Sequence, residues 1–126
     1  MGFRYREFPV YQAALVLHHD IVEITKFFPR EFDYLRDQLR RAALSIILNI
    51  AEGSAKKSDR DFNRYLKNSL GSTSEVVAGL DVSFREQLLS RESLEKLFMQ
   101  CEKISSQLGG FSKILSVHNE SRVISS

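Results

Sequence analysis

Four segments of this 126-residue chain repeat apolar residues at alternating steps of about three and four, and this spacing constrains the fold more than any other feature. The repeat places apolar side chains along one side of a helix that packs nearly parallel to its neighbours. Pro9 and Pro29 bound the first segment, and Ser58 and Ser90 stand where they cap the third and fourth. The four seams are Val10, Ala14, Leu17, Ile21, Ile24 and Phe28; Leu35, Leu39, Ala42, Ile46, Asn49 and Ile50; Phe62, Leu66, Ser69, Thr73, Val76 and Leu80; and Leu94, Leu97, Cys101, Ile104, Leu108, Phe111 and Leu115.

The joints between these segments are short, so sequential helices should lie antiparallel. The sequence therefore predicts an all-α fold, an up-down-up-down antiparallel four-helix bundle. We expect the bundle domain to span residues 1–116 and residues 117–126 to form a flexible C-terminal tail, because the apolar pattern stops there. Gly53 follows the last turn of the second helix and fits a left-handed cap. The pair Gly109-Gly110 predicts a bend or fraying late in the fourth helix.

Cellular location is constrained by cysteine content and hydropathy. The single cysteine, Cys101, allows no disulfide within the chain, which fits a reducing cytosol. No stretch reaches the ~18 consecutive apolar residues that a membrane span requires. His18-His19-Asp20 follows the first apolar stretch where a signal peptide would carry a small-residue cleavage site. We therefore expect a cytoplasmic protein with no membrane partner.

Two segments are more specific than general bundle sequence. Residues 38–53 read Gln-Leu-Arg-Arg-Ala-Ala-Leu-Ser-Ile-Ile-Leu-Asn-Ile-Ala-Glu-Gly, and residues 62–66 read Phe-Asn-Arg-Tyr-Leu, with Gly71-Ser72 and Glu75 beyond them. Together they resemble the bacterial four-helix-bundle family of 23S ribosomal RNA intervening-sequence proteins, which shares an Arg-Arg-Ala-x-x-Ser-Ile-x-x-Asn-Ile-Ala-Glu-Gly core. The resemblance extends over roughly residues 8 to 115.

This resemblance implies a short bundle that assembles as a homopentamer. The biochemical function of the family is not established. A structurally similar bundle is the accessory protein of diversity-generating retroelements, which binds a reverse transcriptase and nucleic acid. The partners that the resemblance implies are therefore further copies of the chain, RNA or DNA, and a protein such as a reverse transcriptase.

Cations are concentrated in the middle of the chain. Residues 36–67 hold eight basic and four acidic residues, a charge of +4, and the rest of the chain carries −2. One interpretation is a phosphate-binding strip without base readout, with Tyr65 placed to stack on a base. The alternative is a solvated face with local pairs such as Asp37 with Arg41. The candidate nucleic-acid-binding residues are Arg36, Arg40, Lys56, Lys57, Arg60, Arg64 and Lys67.

Polar residues within the motif predict a structural network of Arg41, Asn49, Glu52 and Glu75, in which Arg41 reaches Glu75 or Glu52 across the bundle. Asn49 and Glu75 fall on or beside apolar seams, and a buried polar group without a partner costs ~1–3 kcal/mol. We therefore expect these residues to fix helix register and the contact between copies rather than to perform chemistry.

The sequence contains no pattern typical of an active site. His19 and Glu23 stand one helical turn apart, which favours a surface pair over a metal site. Cys101 lies on an apolar seam and is expected in the core. We therefore predict a protein that is not an enzyme, with no catalytic residue, metal or cofactor. The alternative to nucleic-acid binding is a protein-binding scaffold, for which apolar residues near the N-terminus are available: Phe3, Tyr5, Phe8 and Tyr11.

Overall fold

The computed structural model of the chain describes residues 3–125, and side chains through residue 117. Within that range the chain forms four α-helices and two 3₁₀ turns, without a strand. The helices are α1 (Pro9–Thr25), α2 (Asp33–Ser54), α3 (Asp59–Arg85) and α4 (Arg91–Ser125), and the 3₁₀ turns are Arg4–Glu7 and Arg30–Phe32.

The first, third and fourth helices begin where the sequence predicts. Pro9 occupies the first turn of α1, where the N–H that proline lacks would have no partner within the helix. The Oγ of Ser58 accepts from the backbone N–H of Asp61 at 3.1 Å, which caps α3. The Oγ of Ser90 accepts from the N–H of Ser93 at 3.1 Å and caps α4 in the same way.

Contacts between helices establish the antiparallel order. Each helix packs against two neighbours: α1 and α3 each contact both α2 and α4. The amide of Gln100 donates to Asp20 at 2.9 Å, so the beginning of α4 lies beside the end of α1. The hydroxyl of Ser69 donates to the carbonyl of Ile46 at 2.9 Å, and Asn63 donates to Ser116 at 3.1 Å. The predicted four-helix bundle is confirmed.

The predicted seams form the core. The largest fully buried apolar side chains come from all four helices, and α3 adds buried hydroxyls at its small, polar middle. Thr73 donates to the carbonyl of Ser69 at 2.8 Å, and Ser83 donates to that of Gly79 at 2.8 Å, so these hydroxyls are satisfied within their own helix. The buried apolar residues are Leu17, Ile21, Leu39, Ile46, Ile50, Leu66, Val76, Leu80, Ile104 and Leu108.

Gly53 corrects one expectation. It does not cap α2 in a left-handed conformation, because no glycine among residues 3–125 has a positive φ and α2 continues to Ser54. A Cβ on Gly53 would lie 2.6 Å from the Cβ of Tyr65 and 3.0 Å from the ring of Phe62. The glycine is therefore required by the close approach of α3 to the end of α2, a constraint that the local sequence pattern does not reveal.

The joint between α3 and α4 contains the left-handed residue instead. Gln87 has a φ of 63°, the N–H of Leu88 donates to the carbonyl of Ser83 at 2.9 Å, and the N–H of Gln87 donates to Phe84 at 2.9 Å. These bonds form a Schellman motif, in which glycine usually occupies the left-handed position.

The fourth helix is longer than the seam predicts. It passes through Gly109-Gly110 and continues to Ser125, so residues 117–125 are helical in backbone. Ser126 and the side chains of residues 118–125 lie outside the described part of the chain, and the boundary at residue 116 therefore stays a prediction. Within residues 3–125 no helix has both the length and the hydropathy to cross a membrane.

Candidate nucleic-acid interface

Five of the seven predicted phosphate-binding residues lie together where α2 ends and α3 begins. Lys56 and Lys57 occupy the joint after Ser54, and three further cations follow along the first turns of α3. All five are exposed. We call this set the basic end: Lys56, Lys57, Arg60, Arg64 and Lys67.

The ring of Tyr65 lies among the cations of the basic end. The ring centre lies 5.1 Å from the Nζ of Lys56 and 5.8 Å from the guanidinium carbon of Arg64, both within the range of cation–π attraction. The Cβ of Tyr65 faces Gly53 in the tight contact described above. That contact between α2 and α3 therefore holds the joint lysine beside the arginine of the following helix.

A shallow groove of about 280 Å³ runs along this part of α3, lined by Arg60, Asp61, Asn63, Arg64 and Lys67. Asp61 approaches Arg64 at 3.8 Å, but both side chains are at least half exposed, and such pairs contribute little. Asn63 is fixed by Ser112 and Ser116 of α4. The groove is therefore a charged surface supported by ordered polar contacts.

Arg36 and Arg40 lie at the opposite end of the bundle and face α1. Arg36 forms an ion pair with Asp33, donates to the carbonyl of Phe28 at 3.4 Å, and exposes 18% of its side chain. Arg40 donates from Nε to the hydroxyl of Thr25 at 2.9 Å and from Nη2 to the carbonyl of Val22 at 3.1 Å. Arg40 joins the end of α1 to the start of α2, where the helix leaves its last carbonyls without partners, and Arg36 connects the joint after α1 to the same turn of α2.

The antiparallel topology adds two cations that the sequence pattern missed. Phe8 and Phe62 both contact the ring of Phe111, at 5.5 Å and 5.1 Å between ring centres, so the start of α1 and the start of α3 lie at the same end of the bundle. The preceding 3₁₀ turn carries Arg4 and Arg6, both exposed, and it contacts α2. These two arginines were not selected from the sequence, although the predicted antiparallel order places the start of α1 at the same end of the bundle as the start of α3.

The predicted polar network forms in part. Asn49 donates to the carbonyl of Ser45 at 2.9 Å and accepts from Asn68 at 3.4 Å. The hydroxyls of Ser45 and Ser72 lie 2.8 Å apart and join α2 to α3.

The charged members of that network lie on the surface. Glu75 is exposed and accepts from Gln38 at 3.4 Å. Arg41 and Glu52 are also exposed, and within residues 3–117 no ion pair joins Arg41 to either glutamate. The hydrogen bond between Ser45 and Ser72 therefore joins α2 to α3, the role that the sequence predicted for Arg41.

The cysteine, histidine and glutamate that were considered for chemistry from the sequence are held by burial or by local pairing. Burial raises the pKa of the Cys101 thiol to about 12, which keeps it protonated and unreactive. A hydrogen bond from Lys26 at 2.8 Å is the main cause that lowers the pKa of Glu23, and the nearby His19 contributes less. Among residues 3–117 no three His, Cys, Asp or Glu side chains are grouped so that they would hold a metal ion.

Comparison with known proteins gives the family. The family model described as 23S rRNA-intervening sequence protein matches residues 6–110. A crystal structure of a protein with unknown function from the S23 ribosomal protein family of Bacteroides thetaiotaomicron is similar, with a TM-score of 0.78 and 25% identity over 82% of this chain and 98% of that chain. A search of curated proteins gave no match. Since the family model spans most of the bundle, this chain belongs to the 23S rRNA-intervening sequence protein family.

Proposed function

We propose that this protein is a non-enzymatic homo-oligomer, a pentamer, that binds nucleic acid or a nucleoprotein through the basic end. The observation that carries the proposal is the grouping of five exposed cations, Lys56, Lys57, Arg60, Arg64 and Lys67, at one end of the bundle. A Lys or Arg side chain in this setting releases counterions from a phosphate backbone when it binds, and this release supplies most of the affinity in binding that does not depend on sequence.

Assembly strengthens the proposal. The family resemblance supports a pentamer, and five copies would present five basic ends to one polyanion, so that contacts after the first become intramolecular. The outward side of α2 offers an apolar surface for contact between copies, because Leu44 is 42% and Leu48 54% exposed. Measurement of the mass in solution tests this part. We expect an oligomer that Leu44→Glu with Leu48→Glu dissociates, and a wild-type monomer would contradict it.

Binding is tested with filter binding of a structured RNA across a salt series. The variant carries Lys56→Ala, Lys57→Ala, Arg60→Ala and Arg64→Ala. A matched control removes four exposed cations elsewhere, with Lys26→Ala, Arg30→Ala, Lys96→Ala and Lys103→Ala. We expect the first variant to lose at least about 10-fold in affinity at ~50 mM salt and the control much less. No binding by the wild type at that salt concentration, or equal losses in both variants, would refute the proposal.

A specific observation favours a second candidate function, that of a protein-binding scaffold without nucleic-acid contact. At the opposite end of the bundle, a groove of about 500 Å³ lies between α1 and the joint before α4, and Ile24, Phe27 and Leu88 are among its lining residues. Phe27 is 87% exposed there. Capture of partners from a nuclease-treated lysate distinguishes the two functions, because a complex that survives nuclease and is lost in Phe27→Ser favours the scaffold.

A further inference from the structure

The 3₁₀ turn Arg4–Glu7 packs against α1 and α2 at the end of the bundle that carries the basic end. The N–H of Arg6 donates to the carbonyl of Phe3 at 3.1 Å, and the N–H of Phe8 donates to that of Tyr5 at 3.0 Å. The side-chain amide of Gln12, on the first turn of α1, donates to the carbonyl of Arg6 at 2.6 Å. These bonds hold the backbone of the turn in position relative to α1.

Three aromatic rings contact one another in series, from Phe3 before the turn through Tyr5 within it to Tyr11 of α1. The ring centres of Phe3 and Tyr5 are 6.3 Å apart at an interplanar angle of 81°, and those of Tyr5 and Tyr11 are 5.1 Å apart at 71°. Tyr5 and Tyr11 are half-buried, whereas Phe3 is 71% exposed. Phe3 therefore contributes little to the core and presents an apolar ring to solvent, supported by the ring of Tyr5.

Two cations follow Phe3 in the turn. Arg4 and Arg6 are exposed, and within residues 3–117 neither takes part in an ion pair. The turn lies at the end of the bundle that carries Lys56 and Lys57, because Phe8 and Phe62 share contact with Phe111. An exposed aromatic ring next to a turn with two exposed arginines, at the end of the bundle that carries further cations, combines the two elements of single-strand binding surfaces, a charged track for the backbone and a ring for the bases.

We infer that Phe3, supported by Tyr5, is a stacking site for an unpaired nucleobase, and that the nucleic acid bound at the basic end is single-stranded. This inference rests on the proposed function and adds the class of ligand. Cations alone bind duplex and single strand by the same counterion release. A ring selects the single strand, because in a duplex the faces of the bases are already stacked on one another.

The test uses the full-length chain and fluorescence anisotropy with three labelled ligands: a thymidine strand of about 16 nucleotides, the upper site size of single-strand binding folds, an abasic strand of the same length, and the corresponding duplex. Wild type is compared with Phe3→Ala and Phe3→Trp. Phe27→Ala removes a phenylalanine at the opposite end that is 87% exposed, against 71% for Phe3, and serves as the control.

We expect wild type to bind the thymidine strand about 10-fold tighter than the abasic strand, near the weaker end of base–aromatic stacking. Phe3→Ala should abolish that difference, Phe3→Trp should keep it, and Phe27→Ala should leave it unchanged. Equal affinity of wild type for the thymidine and abasic strands, or an unchanged difference in Phe3→Ala, would overturn the inference. Salt-sensitive binding that is equal for all three ligands would overturn the stacking site alone, whereas no binding to any of them would overturn the proposed function as well.

Discussion

At the opposite end of the bundle Arg36 and Arg40 are half-buried and donate to the joint after α1 and to the end of α1 respectively, whereas at the basic end Arg60 and Arg64 have the same spacing and are exposed. Both pairs stand one turn apart on a helix, so spacing does not distinguish them. The two pairs differ in the part of the bundle that each one faces. Arg36 and Arg40 lie beside the end of α1, where carbonyls need donors, and Arg60 and Arg64 lie on the outer side of α3. An arginine pair is available to a ligand only where no helix end competes for it.

The largest expected effect tests whether tight helix packing positions the basic end. Gly53→Ala brings a Cβ to 2.6 Å from the Cβ of Tyr65 and 3.3 Å from the carbonyl of Phe62, atoms that move only with α3. We expect a loss of about 2–3 kcal/mol in the free energy of unfolding, measured by urea denaturation.

Gly79→Ala is the matched control in the other half of α3, where the atom at 2.6 Å is a terminal methyl of Leu39. A side-chain end yields more readily than backbone, so its loss should be less than half as large. Equal losses would show that the contact at Gly53 is not special to the basic end.

The second prediction separates the two kinds of arginine. Arg40→Met removes two hydrogen bonds from a charged donor to α1, and we expect a loss of about 1.5–2 kcal/mol in the free energy of unfolding. Arg64→Met should change stability by less than about 0.5 kcal/mol, because its ion pair is exposed. The comparison fails if thermal unfolding shows that Arg64→Met costs as much as Arg40→Met.

The third prediction concerns the joint at the opposite end. Gln87→Gly relieves a side chain held at a φ of 63°, and we expect a gain of about 1 kcal/mol. Glu86→Gly is the control, because Glu86 has a φ of −84°, which any residue adopts, and the glycine should destabilise the protein. Neither variant should alter nucleic-acid affinity. A loss of binding in Gln87→Gly would show that the opposite end also contributes to binding, and would contradict the separation of the two ends.

The smallest effect is a dependence on pH at the opposite end. Burial, followed by the charges of Arg40 and His19, lowers the pKa of His18 below its usual value. The unfolded chain therefore binds a proton at His18 more tightly than the folded protein does. As a result, protonation of His18 does not lower the free energy of unfolding above about pH 6.5, and it lowers that free energy increasingly as the pH decreases below this value. We expect His18→Gln to reduce the fall in melting temperature between about pH 7.5 and pH 5.5. His19→Gln is the control, and an unchanged fall in His18→Gln would contradict the assignment.

Much of the fold follows from the sequence because apolar spacing and capping residues act locally. Ser58 and Ser90 cap their helices through bonds to residues three positions away. The role of Gly53 depends instead on Tyr65, and the bonding of Arg40 depends on Val22, so both require knowledge of which helices meet. The residues of the basic end were identified because they are close in sequence, whereas Arg4 and Arg6 are far from them in sequence and reach the same end of the bundle through the antiparallel order of the helices.

The most direct test of the central claim is lysine acetylation of the wild-type protein, read by mass spectrometry, with and without a bound RNA. Six exposed lysines allow the comparison, with Lys56, Lys57 and Lys67 at the basic end and Lys26, Lys96 and Lys103 elsewhere. Our account predicts that RNA protects the first three from acetylation and leaves the other three unchanged. Protection spread evenly over both sets, or confined to the second, would contradict it.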